Sequence, residues 1–340
     1  MEEIKKTKSS YEKINYSLRP AKSVERKMFC EAMIKLSHFH NIEKYQYVGF
    51  GSTYFSDFSL IHKNLGIKKM VSIEKDDDNS DRFEFNRPFS CIGTIFKHSN
   101  QALSEINWKI PTVLWLDYDY RIENSMLQDI KTFFSQALPS SMFMVTLDIK
   151  PDEPKNKKLD GKKLKEFRIN ELRDRISRNN LPLDIESRNL GIKGNIDTAY
   201  EIIKDHIDEI IRFKNSVIKN SKKKIVYKQL FNFYYNDGTP MLTIGGLIYE
   251  QKDEEKYVQA KFKNLRFFKD DKNPFKIEIP SLTFKEIHAL DKLLPNNINK
   301  NGIIDPIAEK KSNLPKLKKL DVKKYVNIYR YFPTFAEANL

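Results

Sequence analysis

Two short phrases in the sequence carry groups suited to chemistry. The first is Gly49-Phe50-Gly51-Ser52, which follows the run Tyr45-Gln46-Tyr47-Val48 and precedes, by one βα unit, Met70-Val71-Ser72-Ile73-Glu74. A strand running straight into a glycine turn, with a second strand that ends on a carboxylate, is how a doubly wound sheet prepares a nucleoside-binding crevice. The second phrase is Asp117-Tyr118-Asp119-Tyr120, which closes the run Thr112-Val113-Leu114-Trp115-Leu116. Two carboxylates flanking a phenol at a strand end offer a general base, a divalent-cation ligand or a clamp for an amino group. If the strand continues beyond Asp117, its alternation places Asp117 and Asp119 on one side. Asp119 is equally suited to cap a helix.

These phrases need a sheet to hold them. Residues 45–49, 68–74, 91–96, 112–117 and 142–148 read as strands, and their nearly continuous apolar character fits parallel strands covered on both faces. Helical spacing separates them, as in Met126, Leu127, Ile130, Phe133 and Phe134. Strands alternating with helices give an α/β, doubly wound sheet. A hairpin follows, predicted over 226–235 and 241–249 around Asn236-Asp237-Gly238. An antiparallel pair closing a parallel sheet separates one class of nucleoside-binding folds from the dinucleotide-binding dehydrogenases.

Ahead of the first strand, Pro20 opens a helix with Val24, Met28, Ala32, Met33 and Leu36 on one face. Arg19, Lys22 and Arg26 crowd its start, where the macrodipole disfavours cations. Either a carboxylate or phosphate compensates them, or they are exposed with Glu25 as an internal partner. Residues 151–168 read as a polar loop leaving the carboxyl edge of the sheet, and 199–219 as a helix with Ile203, Ile207, Ile210, Ile211 and Val217 on one face. Near the end, Thr283 with Glu286 marks a helix start, and Tyr325 to Pro333 reads as a small strand or docked tail.

The balance of charge limits partners more than fold. The net charge of +14 divides into +2 over residues 1–150, +5 over 151–250 and +7 over 251–340. A basic addition beside a neutral nucleoside-binding unit fits a polyanionic partner, nucleic acid included; a generally lysine-rich proteome gives the same total. Cys30 and Cys91 form no CxxC pair, and His38, His40, His62 and His98 show no metal-ligand spacing, so no metal is expected. The sequence lacks a GxSxG elbow, a Walker loop and an HExxH pair, the signatures of several hydrolase and NTPase classes. No apolar run is long enough to span a bilayer, and the amino-terminal segment lacks a signal-peptide core, so a cytoplasmic protein without membrane contact is expected.

Taken together, the glycine turn, the acidic second strand end and the hairpin resemble a class I S-adenosylmethionine-dependent methyltransferase. The phrases YSLRPAKSVERKMF, YVGFGSTYFSDFSLIHKNLGI, SIEKD, RFEFNRPF and WLDYD are similar to a bacterial group described as O-methyltransferases. The resemblance implies a Rossmann-like, seven-stranded sheet closed by an antiparallel hairpin, with S-adenosylmethionine across the carboxyl ends of the first strands. It implies that Gly49, Phe50, Gly51 and Ser52 form the cofactor turn, that Glu74 takes the ribose hydroxyls and that Asp76 lies beside the adenine. His98, Ser99 and Asn100 would face the adenine amine, and Asp117 the methionine amino group or the acceptor. Asp117, Tyr118 and Asp119 are then the candidate catalytic residues. The class usually carries an acid just before the glycines and a third glycine after them; here Tyr47-Val48 precede and Ser52-Thr53-Tyr54 follow. The implied domains are a flexible tail at 1–15, a methyltransferase-like domain at 16–250 with a basic helical insertion at 151–224, and a basic, aromatic addition at 251–340. The expected activity is O- or N-methyl transfer. The alternatives are an inactive S-adenosylmethionine- or nucleotide-binding module of a bacterial defence system, and a nucleic-acid-binding protein on a degenerate Rossmann sheet.

Overall fold

The computed structural model describes residues 19–155, 159–312 and 314–333; the expected tail at 1–15 lies outside them. Helix α1 (Pro20–Ile34) starts at a proline, which tolerates the first helical turn because its missing N–H has no intrahelical acceptor. Then come β1 (Gln46–Gly49), α2 (Ser56–Leu65), β2 (Lys69–Glu74), α3 (Ser80–Asn86), β3 (Ile92–Phe96), α4 (Ser99–Glu105), β4 (Thr112–Asp117), α5 (Asn124–Gln136) and β5 (Met142–Asp148). Two further helices, α6 (Gly161–Arg175) and α7 (Ile192–Ser216), lead into the hairpin β6 (Ile225–Asn236) and β7 (Pro240–Glu250). The remaining elements are α8 (Glu254–Ala260), β8 (Phe275–Ile277), α9 (Phe284–Asp291), α10 (Pro306–Ser312) and α11 (Lys319–Ile328).

All strands join one sheet in the order β3-β2-β1-β4-β5-β7-β6-β8. The first five run parallel, β7 is antiparallel to both β5 and β6, and β8 lies parallel to β6. The expected α/β architecture is therefore present with an eighth strand, which corrects the expected seven. Three residues are too few to show a period, so β8 was invisible as a strand in the sequence.

The sheet is covered on both sides, as its apolar strands require. Even and odd positions of β4 serve opposite faces: Val113 and Trp115 pack with Met28 and Phe29 of α1, while Leu114 and Leu116 pack with Ile130 and Phe134 of α5. Phe29 meets the Trp115 ring edge-on at 4.8 Å. Burial of each such side chain is worth roughly 1.5–3 kcal/mol, so α1 is a core element and not an appendage.

Several local expectations change. The 151–168 stretch is not a loop throughout: α6 begins at Gly161, with Ile169 and Leu172 buried and lysines, good helix formers, on its open side. Helix α7 starts earlier than expected, and Val217 is 76% exposed just beyond its end, so it is not part of the buried face. Thr283 and Glu286 form the predicted capping box. The tyrosine-rich end is helical, α11, and its buried Val322, Tyr325 and Val326 join Ile287 and Leu290 in a separate small core. No helix among the described residues is long and apolar enough to cross a membrane.

Candidate active site

Strand order reverses direction at β1, which has β2 on one side and β4 on the other, so the crevice at their carboxyl ends is the natural ligand position. A cleft of about 430 Å³ opens there. Phe50, Gly51 and Ser52 line it from the first turn, Glu74 and Asp76 from the end of β2, His98 and Ser99 from the end of β3, and Asp117, Tyr118 and Asp119 from the end of β4. Gly49 lies inside β1 and Asn100 on the exposed side of α4; neither lines the cleft. A larger depression of about 750 Å³ lies at the start of α7, but it contains none of these residues. Its Arg188 is already paired with Asp184 and Glu201, and its Lys204 with Asp208.

The head of the cleft is built by the glycine turn leaning on β2. Gly51 N–H donates to Ser72 Oγ at 3.0 Å and to Glu74 Oε1 at 2.9 Å, and Ser72 Oγ donates to the same oxygen at 2.8 Å. A Cβ on Gly51 would lie 2.5 Å from Ser72 Oγ and 2.8 Å from the Phe55 ring, so this glycine is required by the loop's approach to its own neighbours. Ser52 and Phe55 both hold left-handed backbone, at φ of 50° and 45°, a strain typical of ligand-binding turns. Burial pushes the Glu74 carboxyl up to about 7, against the pull of Ser72 and the amides of Gly51 and Ser52. The group is thus an acceptor poised between its two protonation states near neutral pH.

At the other end, strand alternation splits the WLDYD phrase between the two faces. Asp117 turns toward α1, where Lys22 Nζ sits 2.7 Å from its Oδ1, 2.8 Å from Glu25 Oε2 and 3.1 Å from the Tyr235 hydroxyl. The same ammonium lies 4.2 Å from the Trp115 ring centroid, a cation–π contact. Lys22 is 1% exposed and Glu25 fully buried, with the Thr243 hydroxyl donating to Glu25. Beside them Arg26 Nε lies 3.4 Å from Asp57 Oδ1, while the Tyr47 hydroxyl donates to Asp57 Oδ2 at 3.1 Å. Burial raises the carboxyls of Glu25 and Asp57, and the neighbouring cations Lys22 and Arg26 oppose that rise. Lys22 and Arg26 are therefore not exposed. Glu25 is an internal partner as expected, but the larger compensation comes from distant carboxylates. The amides of Ala21 and Lys22 also donate to Asp237, which caps α1 from the hairpin turn at 3.3 and 3.0 Å.

Tyr118 turns the opposite way. Its hydroxyl donates to Asp129 Oδ2 of α5 at 2.6 Å, and the Ser99 hydroxyl reaches the same oxygen. Asp129 is fully buried, and its carboxyl is raised by burial. Desolvation and the Asp129 charge hold the Tyr118 phenol well above its ordinary value, so it serves as a hydrogen-bond donor and not as a base. Its ring stands edge-on to Phe50 at 5.2 Å and to Tyr120 at 5.1 Å. Strand β4 ends at Asp117, so Asp119 does not share its side by alternation; it is exposed at the mouth of the cleft with Tyr120 and Glu123.

Sequence reasoning missed Arg26 and Asp57 as cleft residues. The crowded cations at the start of α1 were the available signal for the first; Asp57 lies in the first turn of α2, where an acid carries no signal of a cleft. Among the described residues there is no cluster of three His, Cys, Asp or Glu side chains able to hold a metal ion.

A cleft over the carboxyl ends of a parallel sheet, closed by an antiparallel hairpin, defines a Rossmann-like fold of the methyltransferase class. The family whose sequence model matches is described as "Putative O-methyltransferase", and the match covers residues 14–340; the chain belongs to that family. No curated protein matches the sequence. Similar solved structures include Trm1 from Pyrococcus horikoshii with S-adenosyl-L-methionine, at 11% identity and a TM-score of 0.39, covering 68% of this chain and 57% of that one. Cofactor-bound Rv0187 from MTB is 9% identical with a TM-score of 0.35, over 64% of this chain and 79% of its own. Human N-acetylserotonin methyltransferase in complex with SAM is 9% identical with a TM-score of 0.32, covering 68% of this chain and 52% of that one. The chain thus spans little more than half the length of the first and third of these.

S-adenosylmethionine is the cofactor this family implies, and the residues present fit it. A buried carboxylate anchored by its own glycine turn suits a vicinal diol, the Phe50 ring offers an apolar wall, and carboxylates with an arginine stand at the other end.

Proposed function

We propose that the chain transfers a methyl group from S-adenosylmethionine to an oxygen or nitrogen nucleophile of an acceptor that enters past Asp119 and Tyr120. The observation that carries this reading is Glu74, fixed by the Gly51 amide and the Ser72 hydroxyl at the head of a cleft whose other end holds Asp117. The bound cofactor supplies the activated methyl on a sulfonium, so the protein's own task is alignment and, for a hydroxyl acceptor, removal of a proton. Glu74 accepts the ribose hydroxyls, and Asp76, His98 and Ser99 border the adenine end. Lys22 neutralises Asp117 and fixes its orientation, which makes Asp117 a clamp; Asp119, exposed at the mouth, is the better placed group to take a proton from the acceptor. Calorimetry with S-adenosylmethionine and S-adenosylhomocysteine tests the cofactor: micromolar binding, lost in Glu74→Ala, is expected, and no binding to the wild type removes the reading. Incubation with methyl-labelled cofactor and fractionated cell extract identifies the acceptor; binding without any label transfer would favour a sensor.

The acceptor is read as a polyanion, nucleic acid included. In the 151–224 region the arginines are largely spent on local partners: Arg168 on Glu153, Arg173 on Glu186, Arg175 on Asp152 and Arg188 on Glu201. The small C-terminal core, by contrast, exposes Lys310, Lys311, Lys316, Lys318, Lys319 and Lys323. Binding to RNA or DNA in a gel-shift titration is expected to weaken steeply with salt, and a flat dependence excludes a phosphate backbone as the docking element.

A further inference from the structure

The small C-terminal core carries cations that its own acids do not answer. Over residues 278–333 the chain has eleven lysines and arginines against six acids. Four of those acids are spent on neutral donors. Glu286 closes the capping box with Thr283, Asp291 accepts from the Tyr325 hydroxyl, Asp305 caps α10 through the amides of Ile307 and Ala308, and Asp321 accepts the Ser281 amide. Lys300, Lys316, Lys318, Lys319 and Lys323 are exposed and form no ion pair among the described residues. Helix α11 is moreover charged against its own dipole: Lys318 is its N-cap, Lys319 its first residue, and its last turn holds no basic residue. Cations are favoured at the other end of a helix, and like charges four residues apart, as in Lys319 and Lys323, repel. The loop before α10 adds to the same place. Asn299 Oδ1 accepts the amides of Asn301 and Ile303, and Gly302 turns the chain at a φ of 72°. A Cβ on Gly302 would lie 2.5 Å from the Lys323 amide nitrogen and 2.9 Å from the Lys319 carbonyl oxygen, so the loop is pressed onto α11. The loop carrying Lys300 and the half-exposed Ile303 thus abuts the turn carrying Lys319, Lys323 and the exposed Leu320.

We propose that the start of α11 and the 299–303 loop form a docking surface for the phosphodiester backbone of a nucleic acid, separate from the cleft. Such a chain is anionic at every phosphate and apolar at every sugar, which suits lysines interspersed with single apolar side chains; its phosphates also answer the free amides at the start of the helix. The surface is held at a fixed offset from the cleft. The Tyr331 hydroxyl donates to Glu31 of α1, and Lys27 of α1 donates to the Phe332 carbonyl at 3.4 Å, while the neighbouring Arg26 lines the cleft. The assignment rests on the polyanion reading of the acceptor, for which it names the gripping element, and it is independent of the cofactor.

The test compares two sets of exposed lysines that remove equal charge. Wild type, a variant with Lys316→Gln, Lys318→Gln, Lys319→Gln and Lys323→Gln, and a control with Lys219→Gln, Lys222→Gln, Lys223→Gln and Lys224→Gln are titrated without cofactor. The probes are a fluorescently labelled RNA hairpin and a labelled DNA duplex of about 20 base pairs, read by anisotropy over a range of salt. The α11 variant is expected to bind about thirtyfold or more weaker than wild type and to lose about three from the slope of log affinity against log salt, with the control within about threefold. Its melting temperature should hold or rise, because removing cations from the start of α11 relieves repulsion. A fall in melting temperature shows that the lysines serve the fold and overturns the proposal. Equal weakening by the two sets overturns the placement and leaves the polyanion reading standing. A wild type that binds neither probe overturns both, as does binding to phosphatidylserine vesicles without binding to nucleic acid. Calorimetry with S-adenosylmethionine is read separately, so a missing cofactor leaves this result intact.

Discussion

Behind the end of β4 two polar clusters lie back to back, and they are built on different physical terms. On the α1 face, Asp117 joins Lys22, Glu25, Arg26 and Asp57 in a network of full charges. On the α5 face, Tyr118 and Ser99 converge on a single carboxylate, Asp129, which forms no ion pair among the described residues. The first cluster depends on mutual neutralisation, since each charge is buried only because its neighbours are. The second depends on hydrogen bonds to one acid whose carboxyl burial raises, so it can be satisfied at a lower electrostatic cost. Adjacent residues of one strand thus serve opposite strategies, because alternation sends them to opposite faces.

The contrast is sharpest when a cation is removed. Lys22→Met strands Glu25 and Asp117 together and is expected to cost about 3–5 kcal/mol in urea denaturation, with part recovered when Glu25→Leu is added. A loss under about 1 kcal/mol for Lys22→Met would show that the α1 cluster is not held by charge balance. On the other face, Tyr118→Phe removes one donor from Asp129 and should cost about 1–2 kcal/mol by the same measurement. Equal costs on the two faces would erase the distinction between them.

Glu74 sets a pH scale for the cleft. Its carboxyl is raised from the ordinary 4.5 to about 7 in the folded chain. The folded state therefore holds this proton to higher pH than the unfolded chain, and the stability it contributes is complete below the unfolded value and lost as pH rises through the folded one. Ligand binding runs the other way, because a protonated Glu74 loses acceptor capacity for two ribose hydroxyls. Affinity for S-adenosylmethionine should fall by up to about tenfold per unit as pH drops below about 7, and Glu74→Gln should flatten that profile at a uniformly weaker level. A profile of unchanged slope in Glu74→Gln assigns the titration to another group. The smallest effect is expected at Lys204, a half-buried i,i+4 partner of Asp208 in α7, where Lys204→Ala should change stability by less than about 0.5 kcal/mol.

What could be read from the chain was whatever is written locally. Gly51, Glu74, the five parallel strands and the Asp237-Gly238 hairpin all announce themselves within a few residues, and the structure brings the first two into direct contact. The helix α6 was hidden because its lysine-rich open side looks like a loop when only a few positions are buried. Asp237 gave a turn signal and nothing more, yet it caps α1 from more than two hundred positions away. Arg26 and Asp57 sit on separate helices, and no spacing in the sequence ties them to one cleft.

For the phrase WLDYD the division is clear. The sequence by itself determined that an apolar strand ends there on carboxylates at the edge of a doubly wound sheet, because alternation and strand length are properties of neighbouring residues. Only the tertiary structure decided that Asp117 is paired with a buried lysine, that Tyr118 is locked onto Asp129 and that Asp119 is left at the mouth. The chemistry of a carboxylate is set by what neutralises it and by how much water reaches it, and both are fixed by residues that the chain brings in from elsewhere.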